Sequence, residues 1–159
     1  MEVYNSADVY KILNISKAKT QRFVTDKLVF PLKDSTGPGT SRVYSPRNLS
    51  EITLVSLLFD RGLTTPAIRE AMDTLRLHYE ELDKKEHFFL DPYRFSSKGS
   101  ISYLVSTYTG EWKLFTYDHA KEISLSISSE DIGTLSLVIG LTNIAANVFM
   151  KLKDSHKKH

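Results

Sequence analysis

Four side chains able to read or grip a polyanion, Lys17, Lys19, Gln21 and Arg22, fall within the short run "KAKTQRFVTDK". Lysine and arginine donate to guanine edges and phosphate oxygens, and the glutamine amide pairs with adenine. If the run is a helix, Ile15, Phe23, Val24 and Leu28 turn inward. Thr20 then lies on or beside that inward face, and the four polar residues keep the outer arc. Further along, "GPGTSRVYSPRNLSEI" places Arg42 and Tyr44 on either side of one β-branched residue, immediately before a helix start. A guanidinium there offers forked donors to a phosphate, and the phenol adds a hydroxyl. The bland alternatives are a solvated helix face, Tyr44 packed under its loop, and Arg42 paired with Asp34.

The elements around these residues follow from caps and spacing. Ser6 is read as the N-cap of a short helix over "ADVYKILN", with Val9, Ile12 and Leu13 at helical spacing, and Ser16 caps the second helix. Two short helices joined by a turn of about three residues have the spacing of a helix-turn-helix. Pro31 stops the extended "LVF". "DSTGPGTS" between "PLK" and "RVY" then reads as two short strands around a turn, a wing that reaches past the second helix. Ser45 and Pro46 open a third helix to about Arg61. It is apolar over much of its circumference through Leu49, Ile52, Leu54, Val55, Leu57, Leu58 and Phe59, so it must be covered by other layers or by a partner chain. Gly62 closes that helix in a left-handed conformation. A fourth helix from Thr64 or Thr65 carries Ile68, Ala71, Met72, Leu75, Tyr79 and Leu82, fading near Lys85.

Charge is distributed unevenly. Between Lys11 and Arg47, eight lysines and arginines face only Asp26 and Asp34, a local excess of six positive charges in a chain whose net charge is +2. A localised basic surface is the footprint of phosphate binding. The chain has no cysteine, which excludes disulfides, thiolate metal sites and a thiol nucleophile. His78, His87, His119, His156 and His159 show no metal-ligand spacing, and neither G-x-S-x-G nor a phosphate-cradling G-x-x-x-x-G-K-[ST] occurs. Asp118 and His119 are adjacent and point to opposite faces of a strand. No enzyme activity, metal or cofactor is therefore expected. "MEVYNSADVYKIL" lacks the pattern of a secretory leader, and no apolar run reaches membrane-spanning length, so a cytoplasmic protein without a membrane partner is expected.

From His87 the composition shifts, with "HFFLDPYRFSSKGS" ahead of strong strand signals. "ISYLVSTYTGEWKLFTY" predicts a hairpin from Ile101 to Tyr117 around a Thr-Gly turn, and "ISLSIS" a further strand. "TLSLVIGL" is read as a strand leading into the final helix "NIAANVFMKLK", one continuous helix being the alternative. Tyr103, Tyr108, Trp112, Phe115 and Tyr117 either pack the sheet or line a small-molecule pocket.

In order, these elements resemble the winged helix-turn-helix of MerR-family bacterial transcription regulators, over residues 4 to about 76. Ser16 opens the second helix, "LVFP" follows it, "RVYS" ends the wing, and "RGLTTPAIREAM" runs from Arg61 to Met72. The resemblance implies that Arg42 and Tyr44 contact DNA backbone and that Lys17 to Phe23 lie in the major groove. It also implies a homodimer that distorts promoter DNA for RNA polymerase, acting in the bacterial nucleoid. Three departures stand out. Gln21, Arg22 and Phe23 replace the family's arginine and two aromatics, Lys27 replaces a glycine, and no long coiled-coil helix follows the fourth helix.

The expected fold is α+β: a winged helix-turn-helix over 1–86, followed by a smaller α+β domain with a β-hairpin over 87–159, for effector sensing or dimerisation. The expected DNA contacts are Lys17, Lys19, Thr20, Gln21, Arg22, Lys33, Arg42, Tyr44 and Arg47. The expected partners are double-stranded DNA, a second copy and, by analogy with the family, RNA polymerase; a small-molecule effector would bind at a site the sequence leaves unknown. The pairing surface is expected on the C-terminal face carrying Ile144, Val148, Phe149 and Leu152, with Leu54, Leu57 and Leu58 as the alternative. Two other classes share the pattern: an excisionase-like protein that bends DNA, and a protein-interaction module.

Overall fold

A computed structural model describes residues 2–37, 40–84, 89–95, 100–107, 109–118 and 135–157. Strand β1 (Tyr4–Asn5) leads into α1 (Ser6–Leu13), and Asn5 rather than Ser6 is the cap. The Asn5 side chain accepts from the Ala7 and Asp8 amides, while Asp8 accepts from the Asn5 amide. This reciprocal box leaves Ser6 as the first helical residue. Asn14, in the left-handed region at φ 54°, ends α1, and Ser16 caps α2 (Lys17–Thr25) by accepting from the Lys19 amide.

Helix α2 stops two residues short of the expected end. The Lys27 amide bonds to the Val24 carbonyl and the Leu28 amide to the Phe23 carbonyl, with Lys27 at φ 57°. This is a Schellman motif. The same bonds close α3 (Pro46–Asp60), where Gly62 at φ 83° bonds to Phe59 and Leu63 to Leu58. One motif thus occurs twice, once with the glycine it favours and once with a lysine whose Cβ crowds the following carbonyl. Lys27→Gly is expected to raise stability by about 0.5–1 kcal/mol, the relief of left-handed strain less the extra freedom of an unfolded glycine. Chemical denaturation with an unchanged m-value would show it; a lower midpoint would place the strain elsewhere.

The wing holds less regular strand than expected. Among the described residues, Lys33 and Val43 exchange backbone hydrogen bonds across it, at 3.1 and 2.9 Å, and the Thr40 amide bonds to the Gly37 carbonyl at 3.2 Å. Nearer the tip, side chains replace the ladder: the Thr40 hydroxyl accepts from the Thr36 and Gly37 amides and donates to the Gly37 carbonyl. The returning strand β2 (Val43–Tyr44) pairs antiparallel with β1, Tyr4 opposite Tyr44. Ser45 caps α3 in a reciprocal box with Asn48, and Pro46 fills the first helical position as expected. Helix α4 (Thr65–Lys84) buries Ile68, Ala71, Met72 and Leu75.

After residue 88 come β3 (Ser100–Thr107), β4 (Trp112–Asp118), β5 (Leu135–Gly140) and α5 (Leu141–His156). The sheet is antiparallel in the order β4-β3-β5, so the fold is α+β, with a β-hairpin in its C-terminal region. The hairpin turns at Gly110, φ 85°, and pairs Ile101 with Tyr117. The segment "TLSLVIGL" resolves as strand then helix; the strand expected over "ISLSIS" lies outside the described residues. Tyr103 is half-buried and Trp112 packs at the margin of the core. Tyr108 and the side chains of Phe115 and Tyr117 lie outside the description.

Helix α5 packs on α1, α3 and β3. Ile144, Val148 and Leu152 therefore join Val9, Leu13, Leu54, Leu58 and Leu104 in one continuous buried cluster. This corrects the expected pairing surface. The apolar face of α5 is spent inside the chain, Leu54 and Leu58 are buried too, Leu57 packs against the same core, and Phe149 lies edge-on to Tyr93 at 6.1 Å. Among the described residues no helix is long and apolar enough to cross a membrane.

Candidate nucleic-acid interface

Helix α2 is docked through Phe23, whose ring stacks on Phe59 of α3 at 5.5 Å, and through buried Val24. That docking decides what faces outward. Lys17, Ala18, Gln21, Arg22 and Thr25 form the exposed arc, spaced as one helical face. Thr20 is excluded from it: the residue is 0% exposed, and its hydroxyl donates to the Ser16 carbonyl at 3.3 Å. Its inclusion as a contact is corrected, because the packing of α2 turns it into the core.

The backbone linking α2 to the wing is fixed by side chains. Carbonyl groups of alternating residues each accept from a different donor: Asp26 from Arg69 at 3.0 Å, Leu28 from Arg76 at 2.6 Å, Phe30 from Asn48 at 2.9 Å. The Arg76 guanidinium also lies over the Phe30 ring, 4.4 Å from its centroid. These donors stand in for a neighbouring strand and set the wing against α2. Arg69 and Arg76 escaped the sequence reading because two arginines on the polar side of an amphipathic helix look like a solvated face.

The result is a polar groove of about 360 Å3 between α1, α2 and the wing. Lys17 and Gln21 come to it from α2, Arg42 from the wing, and Tyr10 with Ser41 complete its polar rim. Lys17 and Gln21 have no side-chain hydrogen bond or ion pair among the described residues. Lys33 stands exposed at the base of the wing. On the other flank of α2, Lys19 pairs with Asp60 at 3.1 Å; Arg22 pairs with Asp26 at 3.2 Å and covers the Phe59 ring. Arg42 donates to Asp34 at 2.6 Å. That hydrogen bond holds the Asp34 carboxyl below its ordinary range and raises the guanidinium above its own.

Two further expected contacts belong elsewhere. Tyr44 is 1% exposed, buried in the core cluster at its pairing with Tyr4; burial raises its phenol above the ordinary value, with Ser6 beside the hydroxyl. Arg47 donates to both carboxylate oxygens of Asp83, at 2.7 and 2.8 Å, and lies over the Tyr79 ring at 4.6 Å. Burial opposes its charge, while Asp83 supports it strongly enough to raise the pKa above normal. Tyr79 in turn donates to buried Glu51, and burial together with that carboxylate keeps its phenol protonated well beyond the ordinary value. Arg47 faces a separate groove of about 560 Å3 with Glu2, Leu32, Asp83, Asp91 and Tyr93. Both contacts are corrected: chain folding satisfies the two side chains internally.

A comparison with known families matches residues 4–75 to the model described as MerR HTH family regulatory protein. No curated protein matches the chain. The matched span starts at β1, takes in α1, α2, the wing and α3, and ends within α4. Residues 4–75, just under half of the chain, are therefore similar to the MerR helix-turn-helix family of regulatory proteins.

Proposed function

We propose that the chain is a sequence-specific double-stranded DNA-binding transcription regulator that acts as a homodimer on promoter DNA. The observation that carries the reading is the groove uniting Lys17 and Gln21 of α2 with Arg42 of the wing. A helix lying in the major groove presents Gln21 and Arg22 to base edges, while a wing beside it brings Arg42 and Lys33 to the backbone. Lys17, at the helix start, serves as a phosphate contact, and Lys19 reaches bases only after leaving Asp60. A single unit offers few base contacts, and two-fold pairing doubles them at fixed spacing. DNA binding is assigned to residues 1–86 and effector sensing or dimerisation to 87–159, with RNA polymerase the partner implied by the family.

The test starts by enriching a preferred site from a random duplex library. Gln21→Ala is expected to weaken that site by about 1–3 kcal/mol and random DNA much less. Arg42→Ala is expected to weaken both alike and to make the slope of log K against log salt shallower by about 0.9 per bound chain. Equal losses on both duplexes for Gln21→Ala would remove direct readout by α2, and an unchanged slope would remove Arg42 from the backbone interface.

A further inference from the structure

Three of the cations proposed for DNA contact are each held by a carboxylate from a different place in the fold. Asp26 follows the last turn of α2 and takes Arg22. Asp34 stands on the outgoing side of the wing and takes Arg42. Asp60 ends α3 and takes Lys19. Two of these carboxylates are the only acidic residues between Lys11 and Arg47, so the local excess of positive charge meets acids at the DNA-facing side chains themselves. Lys17 and Lys33, by contrast, have no carboxylate partner among the described residues.

We propose, resting on the DNA-binding reading above, that Asp26 and Asp60 are specificity-determining residues that compete with DNA for the base readers Arg22 and Lys19, while Asp34 competes with the phosphates of any duplex for Arg42. Sequence-independent binding depends on phosphates being neutralised. A cation already paired brings almost no net charge to a phosphate, and its carboxylate adds repulsion there. A duplex that supplies base-edge acceptors as well as phosphates draws the cation out of its pair; one that supplies phosphates alone does so poorly. Asp26 and Asp60 thus act against the wrong partner more than against the right one, which is how repulsive elements produce discrimination. The hydrogen bond that Ser35 adds to Asp34 at 2.8 Å helps keep that carboxylate charged and in place.

The experiment uses the full chain, with Asp26→Asn, Asp34→Asn and Asp60→Asn singly and together. Asparagine keeps the shape and a carbonyl acceptor, so folding is retained and is checked by thermal melting. Binding is measured to a random-sequence duplex and to the enriched site over a salt series. Glu111→Gln, in the exposed β3–β4 turn, is the control for a simple change of net charge. Asp26→Asn and Asp60→Asn are each expected to raise affinity for the random duplex by roughly two- to fivefold, the range in which exposed ion pairs act, and the enriched site by less, whereas Asp34→Asn should raise both alike. The salt slope should steepen by up to about 0.9 for each carboxylate removed, and the ratio of specific to random affinity should fall in Asp26→Asn and Asp60→Asn. Gains no larger than those of Glu111→Gln for any of the three, or gains equal on both duplexes for Asp26→Asn and Asp60→Asn, overturn the competition while leaving DNA binding intact. Absence of binding to any duplex at low salt, by wild type and triple variant alike, overturns the DNA-binding reading and the competition with it.

Discussion

Val148→Asp in α5 is expected to unfold the DNA-binding half together with the sheet. Val148 is 0% exposed on the face of α5 that packs on α1 and α3. The substitution gives up the burial of a valine, about 1.5–3 kcal/mol, and places an unpaired carboxyl where none of the described partners is positioned to receive it, at a further cost of about 1–3 kcal/mol even when it is protonated. Against a total stability on the order of 5–15 kcal/mol, this should lower the melting temperature by about 10 °C or more. Because Val9 and Leu13 of α1 share one buried cluster with Val148 and Leu152, the loss should register in both halves and remove DNA binding near the melting point. Hydrogen exchange would decide it. Wild-type protection over residues 4–75 in a variant whose sheet has opened would show that the two regions fold independently.

The second large effect is expected at Tyr44. Tyr44→Ala removes a buried aromatic ring from between β1, α1 and α3 and should cost about 3–5 kcal/mol, with DNA binding lost only as far as the fold is lost. Tyr44→Phe keeps the ring and gives up a hydroxyl beside Ser6, costing about 1 kcal/mol. At temperatures where both proteins are folded, Tyr44→Phe should bind DNA with the wild-type affinity and salt slope. An affinity lowered on preferred and random duplexes alike in Tyr44→Phe, with the fold intact, would return the phenol to the backbone interface and contradict its burial.

Local patterns settled a large part of this protein in advance. Helical spacing with Ser16, Ser45, Pro46 and Gly62 as punctuation located the starts of α2 and α3 and the end of α3, because caps and turns depend on residues within one helical turn of each other. The outward placement of Lys17, Gln21 and Arg22 followed from the same periodicity. Short-range information also left a trace at Lys27, where a residue other than the family's glycine sits in a left-handed conformation. What periodicity leaves open is which layer covers each apolar stripe. Leu54, Leu58, Ile144, Val148 and Leu152 looked free for a second chain until α5 was seen lying on α1 and α3. Residues far apart in sequence decided the rest of the site. Tyr44 is buried by pairing with Tyr4, Arg47 is taken up by Asp83 thirty-six positions away, and Lys19 is held by Asp60 forty-one positions away. A charged or aromatic side chain reads the same in sequence whether its partner is a phosphate or a distant carboxylate. Only the tertiary structure, by bringing those distant groups within hydrogen-bonding reach, separates the cations already engaged from Lys17, which has no side-chain partner among the described residues.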